Sequence, residues 1–263
     1  MIKMEKNSEE VEFSKWMREF YNKKARKISD KGYEHARWFS SSRKKRQYVF
    51  SMKSLLFHLD NVDFKECLEI GCGPGTWTSL LLEKYPGADF TCVDISREMI
   101  SQLNKKLGKR RNVKSVVSSF LDYDSKEKYD FIFSSRAIEY IPNKSKVIRK
   151  INSLMKDGGK GVIITSPPHD LIVNVKKAMG KKFNKNHTQR ISVEKMRELL
   201  RINGFIEIKF YPILFSDFFL VPTSFLFKSM YKKRWNLLSK MFATGYIVTF
   251  NKKNGKKNSV LGK

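Results

Sequence analysis

Residues 67–78 read Cys-Leu-Glu-Ile-Gly-Cys-Gly-Pro-Gly-Thr-Trp-Thr, which puts Gly71, Gly73 and Gly75 in one turn between an apolar run and a helix-compatible stretch. Glycine loses more backbone freedom on folding than any other residue, so this crowding implies a conformation or a close approach that a Cβ would forbid. A helix opening directly after the turn aims its first N–H groups and its positive dipole end at the same point. Glu69 stands two residues before the first glycine, and Asp94 ends the next β-type run, where it can accept hydrogen bonds from a ribose diol. The spacing is G-x-G-x-G, with Thr76 where a dinucleotide fingerprint needs its third small residue, which weakens a pyrophosphate ligand. An acid beside the turn suits a ligand with an ammonium group better, so the residues point to a nucleoside carrying an amino acid.

The elements that must position these groups follow from periodicity. From Glu66 onward, "ECLEIG", "DFTCVDI", "VKSVVSS", "YDFIFSS", "KGVIITSP", "FIEIKFYPI" and "GYIVTFNKK" alternate with helical stretches at about Thr76–Lys84, Ser96–Leu107, Lys144–Met155 and Ser192–Asn203. Such alternation predicts an α/β fold with a mainly parallel sheet and helices on both faces. In that architecture, ligands bind beyond the carboxyl ends of the strands, where the glycine turn lies. "KDGGKG", Lys156 to Gly161, reads as a helix stop and turn before a buried strand.

With these residues in this order, the sequence resembles the class I S-adenosylmethionine-dependent methyltransferases over about Glu66 to Phe205, on the strength of "LEIGCGPGTWT" and "CVDIS". The resemblance implies a Rossmann-like seven-stranded sheet with its last strand antiparallel and S-adenosyl-L-methionine lying over the glycine turn. It further implies that Glu69, Gly71, Gly73 and Gly75 hold the methionine end, that Asp94 takes the ribose hydroxyls, and that Ile95 lies against the adenine. Where many relatives carry an acid near the third strand's end, "VVSSFLDYD" offers Ser119 and Phe120, with Asp122 slightly late. "FIFSSRAIEYI" corresponds to the segment after the fourth strand and brings Ser135 and Arg136 near the methionine portion.

Methyl transfer from a sulfonium is an in-line displacement, so alignment and exclusion of water can supply much of the rate without a protein nucleophile. A hydroxyl acceptor would still need a base within hydrogen-bond reach. The candidates are Glu139 and Tyr140 after the fourth strand, His169 after the fifth, and His187 ahead of a helix capped by Ser192. "SSFLDY" is not an Asn/Asp-Pro-Pro-aromatic signature, and "SPPHD" follows the wrong strand, which lowers amino-methylation of nucleobases or glutamine and leaves oxygen, nitrogen and carbon acceptors open.

The first 60 residues are polar and helix-compatible, with aromatics among many basic residues, and read as a helical cap packed on the core or a lid over substrate. The methyltransferase domain then runs over residues 61–253, and residues 254–263 form a basic tail. Between the last two strands, residues 214–242 form an insertion rich in Phe, Leu, Lys and Arg, and Tyr211 to Phe227 concentrate apolar side chains beside a cationic rim. That composition suits a small-molecule or lipid-linked acceptor and peripheral contact with an anionic membrane. A net charge of +27 over 263 residues keeps an RNA acceptor as the competing function, and a noncatalytic cofactor-binding subunit as a third. Cys67, Cys72 and Cys92 lack paired spacing, which argues against a zinc site and a disulfide scaffold. No metal is expected. A charged start without an apolar h-region adds a cytoplasmic location, with the inner membrane face as its peripheral variant.

Overall fold

The computed structural model describes residues 2–27, 32–168, 190–215, 232, 234, 239 and 243–255. Seven strands form one sheet in the order β3-β2-β1-β4-β5-β7-β6. They are β1 (Glu66–Ile70), β2 (Asp89–Asp94), β3 (Val113–Val117), β4 (Tyr129–Ser135), β5 (Met155–Thr165), β6 (Phe205–Phe215) and β7 (Ala243–Lys252). The pairs from β3 through β5 are parallel, and β7 runs antiparallel to both β5 and β6. Order reverses between β1 and β4, so a crevice opens beyond their carboxyl ends.

Alternation along the strands splits the core in two. Leu68, Ile70, Ile132 and Ile163 face one side, under α5 (Lys144–Leu154) and α6 (Val193–Ile202). Cys67, Cys92, Phe131, Phe133 and Ile164 face the other, under α2 (Ser42–His58), α3 (Thr76–Lys84) and α4 (Arg97–Leu107). In α6, Val193, Met196, Leu199 and Leu200 share a helical face and are buried, each stabilising the fold by roughly 1.5–3 kcal/mol. The Ser192 hydroxyl caps this helix by accepting from the Lys195 amide at 3.2 Å.

One local expectation needs adjusting. After α5 the chain does not make a separate turn through "KDGGKG": β5 starts at Met155, and the ladder with β4 jumps from Tyr129–Met155 to Phe131–Lys160, so Lys156–Gly159 form an irregularity within the strand. Ahead of the sheet, α1 (Ile2–Lys27) is followed by Gly32–Glu34 and one π-helical stretch, His35–Phe39. Most of the insertion, from 216 to 231 and at 233, 235–238 and 240–242, lies outside the described residues, as do His169, His187 and the tail from 256.

Candidate functional site

The glycine turn begins where β1 ends. Gly71, Gly73 and Gly75 all have positive φ, +71°, +56° and +82°, so the turn requires glycine for its backbone alone. Their surroundings differ. A Cβ on Gly71 would run into the Ala137 side chain from the segment after β4, and one on Gly75 would meet Leu103 of α4 at 3.3 Å. Only Gly73 has nothing within 4 Å. The close approach expected from a ligand is therefore a protein contact at Gly71 and Gly75, and open space at Gly73.

Asp94 holds this turn. Its Oδ2 accepts from the Gly73 amide at 2.9 Å and its Oδ1 from the Ser96 amide at 2.9 Å. Burial pushes the carboxyl up, against the lowering effect of those two amides. Ser96 in turn caps α4 through the Met99 amide. Glu69 lies beneath the turn rather than in its mouth: it shares the Cys67 face of β1 and is 1% exposed, and its Oε2 accepts from the Thr78 hydroxyl of α3 at 2.7 Å. Burial raises its carboxyl to about 8, so it carries a proton at neutral pH.

A cavity of about 570 Å³ opens over the turn. Its floor contains Gly71, Gly73, Asp94, Ile95, Ser119, Phe120, Ser135 and Arg136, and Tyr140 stands in its wall. These are eight of the ten residues expected around the cofactor and one of the three expected to be catalytic. Asp122 is exposed and lies outside it. The Ser135 hydroxyl and Arg136 Nε are buried without a hydrogen-bond partner among the described residues, which fits groups that await a polar ligand. With the open space at Gly73, the floor fits an S-adenosylmethionine molecule.

Glu139 is also buried, but it faces away from the cavity. Its Oε2 accepts from the Thr165 hydroxyl and the Ser166 amide, both at 3.1 Å, and its Oε1 lies 3.1 Å from Arg136. Burial pushes this carboxyl up, yet Arg136 and Arg190 with those hydrogen bonds outweigh it and hold it below the usual value. A carboxylate held this way is a weak base and a firm anchor. Arg136 has a φ of +59°, uncommon for a side-chain-bearing residue, and also donates to the Ser166 hydroxyl. Glu139 and Ser166 thus fix a strained residue whose guanidinium edges the cavity.

The roof comes from the N-terminal segment and was not legible from spacing. Tyr21, Lys24, Tyr33, Arg37, Trp38 and Lys44 all line the cavity. Along α1, the rings of Phe13, Trp16, Phe20 and Tyr21 are in sequential contact at 5.3–5.7 Å, and Tyr21 meets Tyr140 edge-on at 5.8 Å. Asn22 Oδ1 accepts from the Ser96 hydroxyl at 2.7 Å, Arg26 pairs with Glu98, and Glu10 pairs with Lys146 at the start of α5. α1 is therefore fastened on both sides of the crevice. The sequence signal was present, as aromatics interleaved with Lys and Arg, but it names no partner.

Seven strands in this order with helices on both faces make a Rossmann-like methyltransferase fold, and residues 68–160 match the methyltransferase domain family. Among curated relatives, malonyl-[acyl-carrier protein] O-methyltransferase 2 of Ilyobacter polytropus is 34% identical over 104 residues, 40% of each chain. Trans-aconitate 2-methyltransferase of an Enterobacter species is 30% identical over 97 residues, 37% of each chain. The chain thus spans about two fifths of the length of these relatives. Among solved structures, the N-methyltransferase NodS of Bradyrhizobium japonicum with S-adenosylhomocysteine aligns at a TM-score of 0.58 and 12% identity, covering 89% of this chain and 97% of that one. Likeness at that identity extends to the fold.

Proposed function

We propose that the protein transfers the methyl group of S-adenosylmethionine to a small-molecule acceptor by in-line displacement beneath its N-terminal roof. The observation that carries this reading is one cavity that joins the glycine turn, Asp94 and Arg136 to the aromatic and basic side chains of residues 21–44. Its size falls within the roughly 300–1,000 Å³ typical of small-ligand sites. Gly71, Gly73 and Gly75 would shape the turn against the cofactor, with Glu69 supporting it from below through Thr78. Asp94 would take the ribose hydroxyls, Ile95, Ser119 and Phe120 would border the adenine, and Ser135 and Arg136 would meet the methionine portion. The cofactor supplies the electrophilic methyl group; the chain aligns the acceptor and excludes water.

Tyr140 is the member of the catalytic candidates that lines the cavity, and Glu139 acts through Arg136 as a positioning residue. His187 keeps its candidacy from sequence alone. A lipid-linked acceptor, or contact with an anionic membrane, rests on the apolar sequence from Tyr211 to Phe227 and its neighbouring lysines and arginines. No helix of the described residues is long and apolar enough to cross a membrane.

Calorimetry with S-adenosylmethionine against NAD tests the cofactor; preference for NAD would sink the reading. Labelled-methyl transfer into fractionated small-molecule, lipid, RNA and protein extracts tests the acceptor, with sedimentation on anionic and neutral liposomes alongside. Label in the small-molecule fraction is the expected result. Label entering only RNA would move the function to the basic surface, and cofactor binding with no transfer to any fraction would favour a noncatalytic subunit.

A further inference from the structure

Among the described residues, two lysines line the cavity, and they are held in different ways. The Lys44 ammonium donates to the Ala36 carbonyl at 2.7 Å and to the Ser40 hydroxyl at 2.9 Å, which commits it to bracing the π-helical stretch. The Lys24 ammonium has no carboxylate or carbonyl partner among the described residues; it sits over three aromatic rings, 5.4 Å from the centre of Phe20, 5.8 Å from that of Tyr21 and 5.5 Å from that of Tyr33.

These rings form a cage. Phe20 and Tyr21 meet edge-on at 87°, as two walls of a corner, and Tyr33 adds a third from beyond the end of α1. Burial raises the Tyr21 hydroxyl above its ordinary value and pushes that of Tyr33 up to about 12, so both walls stay uncharged near neutrality. Neutral rings gathered within about 6 Å of one cation make the arrangement that receives methylated ammonium groups, because a methyl group leaves the charge in place, weakens its hydration and adds contact with the ring faces.

The cage also opens on the space above the glycine turn. Tyr21, Lys24 and Tyr33 line the same cavity as Gly73 and Asp94. A lysine carries its amine on a flexible four-carbon stem. Burial, then the neighbouring Arg37 and Lys44, lower the Lys24 ammonium below its ordinary value of 10.5, which raises the share of neutral amine, the form whose lone pair a displacement needs. The carboxylate of S-adenosylmethionine has other cations to meet in this cavity, Arg136 on the floor and Arg37, which lies over the Trp38 ring at 4.0 Å.

Resting on the methyltransferase reading, we propose that Lys24 is itself a methyl acceptor: the protein methylates this side chain within its own cavity, and the cage of Phe20, Tyr21 and Tyr33 retains the methylated ammonium. The Lys24 ammonium first gives a proton to solvent, to which this residue is exposed. The Nζ lone pair then forms the new N–CH3 bond while the CH3–S bond breaks, and that bonding pair goes to sulfur. The products are a secondary ammonium on Lys24 and the neutral thioether of S-adenosylhomocysteine, so the side chain ends with the charge it had at the start.

The test uses the full chain, mapped by peptide mass spectrometry as isolated and after incubation with methyl-labelled S-adenosylmethionine. A methyl group on Lys24 is expected, with none on its exposed neighbour Lys23. Its rate of appearance per chain should not change when the protein is diluted, and Gly73→Arg, prepared and treated alike, should lack it. A second readout needs no turnover: an amine-reactive ester should label Lys24 several-fold more slowly in the S-adenosylhomocysteine complex, with Lys23 unaffected. A Lys24 that stays unmodified, a rate that falls on dilution, or label spread evenly over Lys23 and other exposed lysines overturns the proposal. So does a loss of roughly tenfold or more in S-adenosylhomocysteine affinity on Lys24→Met, the scale of a lost charge-assisted hydrogen bond, which would make Lys24 a ligand of the cofactor's carboxylate. If S-adenosylhomocysteine fails to bind the wild type, the underlying methyltransferase reading falls instead.

Discussion

The Gly73 amide donates to Asp94 Oδ2 at 2.9 Å, so the carboxylate that ends β2 holds the one glycine of the turn that leaves open space above it. Two features that look separate in the sequence, 21 residues apart, form one device. Asp94 sets the height of the turn and presents its remaining acceptor capacity to the cavity.

Replacing Asp94 should therefore weaken the cofactor and loosen the turn together. Asp94→Ala is expected to cost about 1–3 kcal/mol in S-adenosylmethionine affinity, the scale of charged hydrogen bonds. Calorimetry on the folded variant checks it. Unchanged affinity would take Asp94 out of the site.

Gly71 and Gly73 should respond in opposite ways. Gly71→Ala drives a methyl group into Ala137 at a positive φ, so thermal melting should show a clear loss of stability. Gly73→Arg has room for its Cβ and costs about 1–2 kcal/mol for its left-handed backbone, but it fills the cavity. That variant should melt as a folded protein and fail to bind S-adenosylmethionine in calorimetry.

Glu139→Gln removes the partner of a part-buried guanidinium, and urea unfolding at neutral pH should show a loss on the order of 3–5 kcal/mol. The pH dependence has a definite sign. Burial pushes the native carboxyl up, but Arg136 and Arg190 with the Thr165 and Ser166 hydrogen bonds together outweigh it and hold it below its ordinary value of 4.5, so its contribution is present above that value and is lost as pH falls through the lowered one. The wild type should lose stability across that acid window, and the glutamine variant should lack this step.

Glu69 carries the opposite sign. Burial raises its native value from 4.5 to about 8, so the folded chain keeps a proton that the unfolded chain releases, and stability falls as pH rises between these values. Glu69→Gln keeps an acceptor for Thr78 without an ionisable group. Its urea midpoint should match the wild type near pH 4 and exceed it increasingly toward pH 8. Parallel curves would mean that Glu69 is ionised in the native protein.

What the sequence by itself determined is the scaffold and the floor of the cavity. The seven apolar runs, the helices between them and the glycine turn with Asp94 after one strand–helix unit are local or periodic signals. A period of two or 3.6 and a triple-glycine turn express constraints that act within a few residues. Thr76–Lys84 even carries the bounds its spacing predicts. What only the tertiary structure decided is who meets whom across the chain. Ala137 fills the space at Gly71, Glu139 turns inward to anchor Arg136, and Tyr21, Lys24 and Arg37 arrive over a turn some 35–50 residues further along. Tyrosine, lysine and arginine occur on any solvated helix, so their types and spacing do not distinguish a roof from a surface. That distinction comes from the docking of α1 across the crevice through Ser96, Glu98 and Lys146, contacts whose partners have no local mark in the chain.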